Sequence, residues 1–355
     1  VVTVAVAAFI LSGRKISLMQ RSTMQSAISA PQVGGIVRLT KFILRGTFLV
    51  EAIGAILLLP VFCHDFGRRG IWMSVFHSVS AFCNAGFDIL GTEGHRFVSL
   101  SGYGDNIWLN MVIMLLIIIG GIGFLTWEDF YENKLNFRRY RMQSKVILIT
   151  TVLLIILPAI LFFANDFGEF LFKKRLLYSI FQSVTTRTAG FNTADLPLMT
   201  EAGKAVMILL MLIGGSPSST AGGMKTTTFA VLILNAFATF RSREDAGAFG
   251  RRFDVQVIKN AATIAMLYLM LFFGGGIIIS AYEGLPVLTC FYEAASAIGT
   301  VGLTLGVTPD LHIISRLILI VLMYLGRVGG LTLIYAVFSG KHNNARMPME
   351  KITVG

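Results

Sequence analysis

The sequence predicts an all-α integral membrane protein built from one repeated unit: a membrane span, a short re-entrant helix, a glycine loop and a second span. Three observations predict it. Of the 355 residues, 55% are hydrophobic and only 14% charged, against about a quarter charged in a soluble domain. The apolar residues gather in runs long enough to cross the ~30 Å of a bilayer core as helices. Three short glycine-centred sequences recur at near-equal spacing between those runs.

The runs set the elements. Spans are predicted at Phe42 to Phe62, Ile107 to Trp127, Val146 to Phe163, Ala205 to Phe240, Ala261 to Ala281 and Ile313 to Phe338, and residues 1 to 12 read as the cytosolic end of a further span. The segment 205 to 240 is 36 residues long and would extend about 54 Å as one helix at ~1.5 Å per residue. It must therefore be broken, and the stretch GGSPSSTAGGMKTTT (214 to 228) marks the place. Irregular backbone at membrane depth is tolerated only against protein or a water-filled cavity. The stretch is not a Walker A phosphate loop, because Met224 separates Gly223 from Lys225.

Charge sets the orientation. Segments 13 to 45, 128 to 145, 241 to 260 and 339 to 355 hold 6, 5, 5 and 3 Lys plus Arg, and the opposite connections near 64 to 70, 91 to 104 and 164 to 175 hold 6 together. The positive-inside rule places the first set, and both chain ends, in the cytosol. The excess of 30 Lys plus Arg over 19 Asp plus Glu is thereby explained without nucleic acid. Cys63, Cys83 and Cys290 are odd in number and far apart, so neither a disulfide framework nor a zinc site is predicted. No HExxH, no carboxylates paired at helical spacing and no Ser-His or Cys-His constellation points to an enzyme.

The repeat carries the chemistry. SAFCNAGF (80 to 87), TTRTAGF (185 to 191) and SAIGTVGL (296 to 303) share [NT]-[AV]-G-[FL], with Gly86, Gly190 and Gly302 separated by 104 and 112 residues. Each follows an amphipathic segment too short to span: IWMSVFHSVSAF, RLLYSIFQSVTT and PVLTCFYEAASAI. A glycine there lets backbone carbonyls turn to one side. Such carbonyls replace the water around a dehydrated alkali cation, and the negative end of the half-helix dipole favours the same cation. The filter candidates are Asn84, Ala85, Gly86, Thr188, Ala189, Gly190, Thr300, Val301 and Gly302, with Cys83, Arg187 and Gly299 in the preceding slot. A guanidinium in a cation pore would repel the ion, so Arg187 is expected to brace the loop from behind, bonding carboxylates or carbonyls. Glu51 and Glu293 lie in apolar segments and are expected in paired structural roles, with Arg187 as one partner. Asp88 and Asp310 follow filters, where cation attraction and plain solvation are both open. His77 is expected to be a satisfied interior residue.

These motifs, with GGIGFLTW (120 to 127) and YLGRVGG (324 to 330), resemble the Ktr/Trk/HKT superfamily of potassium transporters, most closely the membrane subunits of bacterial Ktr systems. The resemblance implies a potassium-channel-like fold, four repeats around one pore, in a multi-pass protein of the bacterial plasma membrane. On that pattern, residues 1 to 40 are the cytosolic tail of an incomplete first repeat. The second, third and fourth repeats are residues 41 to 140, 141 to 245 and 246 to 340, and 341 to 355 form a cytosolic tail. Three filter loops cannot enclose an ion, and a fourth is expected upstream of Val1. The resemblance also implies potassium as the transported ion, with sodium a second candidate, and no organic cofactor. It implies a homodimer in lipid, on a cytosolic ring of nucleotide-binding regulatory subunits. The broken stretch becomes an intramembrane gate of Gly214, Gly215, Ser216, Pro217, Ser218, Ser219, Thr220, Ala221, Gly222, Gly223 and Lys225. Arg327, a lone charge in an apolar span, is its expected partner through loop carbonyls or hydroxyls. The competing reading is an ion-coupled secondary transporter whose broken helix is itself the binding site.

Overall fold

The structure is a computed structural model, and it describes residues 35–92, 97–134 and 136–329. Residues 1 to 12, the tail 341 to 355 and the end of the last span therefore lie outside the described residues. Eleven α-helices make up the described architecture, with one short hairpin.

Apolar runs bounded by glycine or a cap form the long helices: α1 (Ile36–Phe66), α5 (Met142–Asn165) and α9 (Val255–Glu283). All three are long and apolar enough to cross a membrane. Gly35 and Gly67, both with positive φ, flank α1, and Asp254 caps α9 by accepting from the Gln256 N–H at 2.9 Å. Their outward faces are apolar too. Phe48, Leu49, Ile53 and Ile56 on α1, and Leu153, Ile156, Leu157 and Ile160 on α5, are exposed, as expected where the solvent is lipid.

Each long helix is followed by a short one packed against it: α2 (Arg69–Phe82) on α1, α6 (Phe172–Thr185) on α5 and α10 (Val287–Ile298) on α9. A loop and a further helix complete each unit: α3 (Ile107–Gly121), α7 (Glu201–Leu212) continued by α8 (Thr226–Phe240), and α11 (Ile313–Val328). The short helices begin within three residues of the predicted segments. The long run 205 to 240 breaks between Leu212 and Thr226 as expected.

One predicted span is corrected. Ile107 to Trp127 is not a single straight helix: α3 stops at Gly121 and α4 (Phe124–Asn133) leaves at 95°. Gly123 makes the corner with φ +90°, and a Cβ there would stand 2.4 Å from the Pro217 carbonyl oxygen. A hairpin, β1 (Gly247–Ala248) and β2 (Arg251–Arg252), was not predicted; Phe249 and Gly250 turn it, both with positive φ.

Two apolar cores flank the axis. One joins α1, α2, α3 and α6 around Phe62, Phe82, Ile113 and Phe181; the other joins α6, α7, α9, α10 and α11 around Tyr292, Met207, Ile279 and Ile298.

Candidate cation site and the loop beneath it

The three glycine loops are built alike. At the end of each short helix a small hydroxyl residue ties the loop down: Ser80 Oγ donates to the Phe87 carbonyl at 2.7 Å and Thr185 Oγ1 to that of Phe191 at 2.6 Å. In the third, Ser296 Oγ accepts from the Gly302 N–H at 3.2 Å. Positive φ then recurs at alternate residues: Asn84 (49°) and Gly86 (68°), Thr188 (74°) and Gly190 (81°), Thr300 (54°) and Gly302 (90°). Alternation of handedness turns successive carbonyls to the same side, where an ordinary strand would alternate them.

The loops stand side by side. A Cβ on Gly86 would sit 2.4 Å from the Ala189 carbonyl oxygen, and one on Gly190 would sit 2.1 Å from that of Val301. On Gly302 it would meet nothing within 4 Å among the described residues. The C-terminal ends of α2, α6 and α10 run directly into these loops, bringing three partial negative charges to one place.

Polar side chains behind the loops divide the bracing work. Buried Glu293 holds the segment beyond the third loop: Oε1 accepts from Thr304 Oγ1 (2.8 Å) and the Leu305 N–H (2.9 Å), Oε2 from Thr308 Oγ1 (2.5 Å). Glu51 accepts weakly from Cys83 Sγ at 3.9 Å. The expected partnership of either glutamate with Arg187 is not present. Arg187 is buried, and among the described residues it makes no ion pair and its Nε has no hydrogen-bond partner. For His77, Nδ1 meets the Met73 carbonyl at 2.7 Å and the ring stacks on Phe62, while Nε2 has no partner among the described residues. Asp88 accepts from the Leu90 N–H at 3.0 Å and so caps its own turn.

The irregular segment 213–225 lies under the loops and is closely held. Its ends are clasped by Gly214 N–H to the Met224 carbonyl (2.7 Å) and Thr226 N–H to that of Gly215 (3.0 Å). The corner between α3 and α4 seats it: Ser216 N–H donates to the Gly121 carbonyl (3.0 Å), and Phe124 N–H to that of Ser218 (2.7 Å). Within the segment, Ser219 Oγ donates to the Ser216 carbonyl (2.6 Å) and Lys225 Nζ to that of Ala221 (2.8 Å). Thr220 is the hub. Its hydroxyl lies 3.0 Å from the Phe82 carbonyl and 3.1 Å from that of Gly120, and accepts from Asn84 Nδ2 at 3.1 Å. Its carbonyl accepts from Arg327 Nη1 at 3.1 Å. On the other side, a Cβ on Gly222 would fall 2.0 Å from Thr300 Oγ1, and one on Gly223 3.1 Å from the Gly299 carbonyl oxygen.

The structure thus brings together all three glycine loops, the segment 214 to 225 and Arg327. The seat at Gly120 to Gly123 falls in the GGIGFLTW motif, and its sequence signal is two glycine pairs, GGIG and GGSP, that approach as backbones. Thr220 carried no separable signal among its hydroxyl neighbours.

Long apolar helices, each followed by a short helix and a glycine loop, make this a multi-pass membrane protein by class. The chain belongs to the TrkH family, described as cation transport proteins, whose profile matches residues 1–345. Among its relatives, the potassium/sodium uptake protein NtpJ of Enterococcus hirae is 38% identical over 98% of this chain and 78% of that protein. Ktr system potassium uptake protein B of Bacillus subtilis is 33% identical over 99% and 79%. The crystal structure of the potassium transporter TrkH from Vibrio parahaemolyticus matches with a TM-score of 0.70 at 18% identity, over 89% of this chain and 68% of that one, which establishes the fold. The chain is accordingly a multi-pass membrane protein and a transporter.

Proposed function

We propose that the protein takes up potassium across the bacterial plasma membrane through a channel-like pore. The observation that carries this reading is the set of three interlocked loops with alternating left-handed residues at Asn84 and Gly86, Thr188 and Gly190, Thr300 and Gly302. Their carbonyls form the filter, and α2, α6 and α10 are pore helices with their negative ends toward the ion. The relatives' names, potassium uptake and potassium/sodium uptake, support potassium as cargo and leave sodium as a second ion.

Segment 214 to 225 is the gate. It touches the first loop through Asn84 and the third through Thr300, and Arg327 holds it through Thr220. The positive charge of Arg327 adds a barrier to cations. Two relatives named as parts of a Ktr system support a separate regulatory subunit. A homodimer on a cytosolic nucleotide-binding ring is the assembly we infer. Regulator binding need only differ between the closed and open states by a few kcal/mol to shift such a gate. The test is flux of potassium, rubidium and sodium in proteoliposomes. Saturable potassium and rubidium flux exceeding sodium flux is expected. Flux of an organic solute coupled to sodium, with no independent potassium path, would overturn the reading in favour of a secondary transporter.

A further inference from the structure

A cavity of about 450 Å³ opens where the end of α1 meets the start of α3, lined by Pro60, Val61, His64, Asp65, Asn106 and Trp108. It takes no part in the glycine loops or the segment beneath them. Its walls are the last two turns of α1 and the first residues of α3, beside the connection 64 to 70 that the charge distribution places opposite the cytosol. The end of an apolar span is the level of the lipid headgroups.

Local structure shapes the cavity. Pro60 withholds one N–H from the helical ladder of α1, and in the same turn Trp108 Nε1 donates to the Leu57 carbonyl at 2.7 Å. An indole has a single donor, so this bond fixes the exposed ring and leaves only its apolar surface to the cavity. Asn106 Oδ1 caps α3 by accepting from the Leu109 N–H at 3.0 Å, which leaves Nδ2 as a donor. Asp65 is held from two sides: Oδ1 lies 2.8 Å from His64 Nδ1, and Oδ2 accepts from the Tyr103 hydroxyl at 2.8 Å. Asp65 meets no Lys or Arg among the described residues, and each carboxylate oxygen keeps a lone pair for one more donor.

An oriented carboxylate beside a fixed indole is a recognition set for an organic ammonium. The apolar wall at Pro60 and Val61 offers nothing to an inorganic cation. It continues along the exposed flank of α1 at Ile53 and Ile56, where acyl chains lie. The Asn106 amide suits a phosphate oxygen. We propose that the cavity binds an amine-bearing phospholipid, with its ammonium on Asp65 and the Trp108 ring. Occupancy reaches the short helix α2 through aromatic contacts. Tyr103, which donates to Asp65, meets Phe62 edge-on at 5.6 Å, and Phe62 stacks on His77 of α2 at 4.8 Å. The bound lipid thus braces from outside the helix that leads into the first glycine loop.

The experiment is native mass spectrometry of the purified, delipidated full chain with dioleoyl phosphatidylethanolamine or dioleoyl phosphatidylglycerol, which differ only in headgroup. The ethanolamine lipid should bind about tenfold more tightly, the worth of one hydrogen bond to a charged group. Asp65→Asn should remove about that tenfold, and Trp108→Leu should weaken binding about threefold, with the glycerol lipid unaffected by either. Soluble phosphoethanolamine, a headgroup without chains, should not displace the lipid. Arg68 and Arg69, exposed just after Asp65, would draw the anionic glycerol lipid if charge alone decided. Equal or tighter binding of that lipid to the parent therefore overturns the site. So does parental binding of the ethanolamine lipid in both variants. Displacement by phosphoethanolamine would make the cavity a site for a free organic cation and overturn the lipid reading. Where a variant's melting curve without lipid departs from that of the parent, the parent's headgroup preference decides.

Discussion

The carbonyl oxygen of Val301 stands where it would be 2.1 Å from a Cβ on Gly190, so the second and third loops touch backbone to backbone. Gly86 makes the same approach to Ala189. Serine at Gly86 or Gly190 must therefore both adopt a left-handed backbone and push a neighbouring loop away, and serine at Gly302 must at least adopt a left-handed backbone. Strain of about 1–3 kcal/mol per site should lower potassium affinity in all three variants. Rubidium-uptake competition curves measure this loss.

Arg327→Ala removes a charged donor from the Thr220 carbonyl and, on the proposed gate, a positive charge beside the ion path. Loss of one such hydrogen bond, worth about 1.5–3 kcal/mol, should raise potassium flux roughly tenfold or more and reduce its dependence on the regulator. Deletion of Ser216 to Gly222 should do the same, with potassium still preferred over sodium. Flux assays with and without regulatory subunit read both. Normal insertion with parental flux in both variants would place the gate elsewhere.

Glu293 receives three hydrogen bonds from the segment that follows the third loop. Glu293→Ala leaves Thr304, Thr308 and the Leu305 N–H without that acceptor and should cost about 3 kcal/mol or more. A lower midpoint of thermal unfolding and poorer discrimination of potassium over sodium are expected. Glu293→Gln, which keeps one carbonyl oxygen, should fall between Ala and parent.

The basic connection between α4 and α5 separates docking charge from structural charge. Arg141 is already engaged, with Glu128 at 2.9 Å and Asp129 at 3.4 Å, whereas the side chains of Arg138 and Arg139 make no ion pair among the described residues and both residues are exposed. Reversing Arg138 and Arg139 together should weaken copurification of the regulator at low salt, with the difference from the parent shrinking as salt rises and insertion unchanged. Reversing Arg141 should instead lower thermal stability. Pull-down across a salt series, beside melting curves, tells the two apart.

Much of this was legible in the sequence because membrane rules are severe. Length alone forced a break in 205 to 240, and the [NT]-[AV]-G-[FL] signature fixed the ends of α2, α6 and α10. The bend after Gly121 escaped because hydropathy runs on unbroken through IIIGGIGFLTW; a count of apolar residues carries no direction. Charge suggests a partner for Arg187 among carboxylates or carbonyls, yet Glu51 and Glu293 are turned to Cys83 and to Thr304 and Thr308. Which way a side chain faces depends on packing that no single stretch encodes. The hairpin at 247 to 252 turns on Phe-Gly, where Asn-Gly or Asp-Gly would have announced it.

The right-angled corner at Gly123 gives the protein a lever. Helix α4 is ten residues long, with its first residue hydrogen-bonded to Ser218 and its middle anchored where Asp129 receives the Arg141 N–H and Ser144 Oγ at 3.1 and 2.6 Å. If the segment 214 to 225 is the gate proposed above, a displacement at the start of α5 would reach it through α4, without any long span having to slide through the lipid.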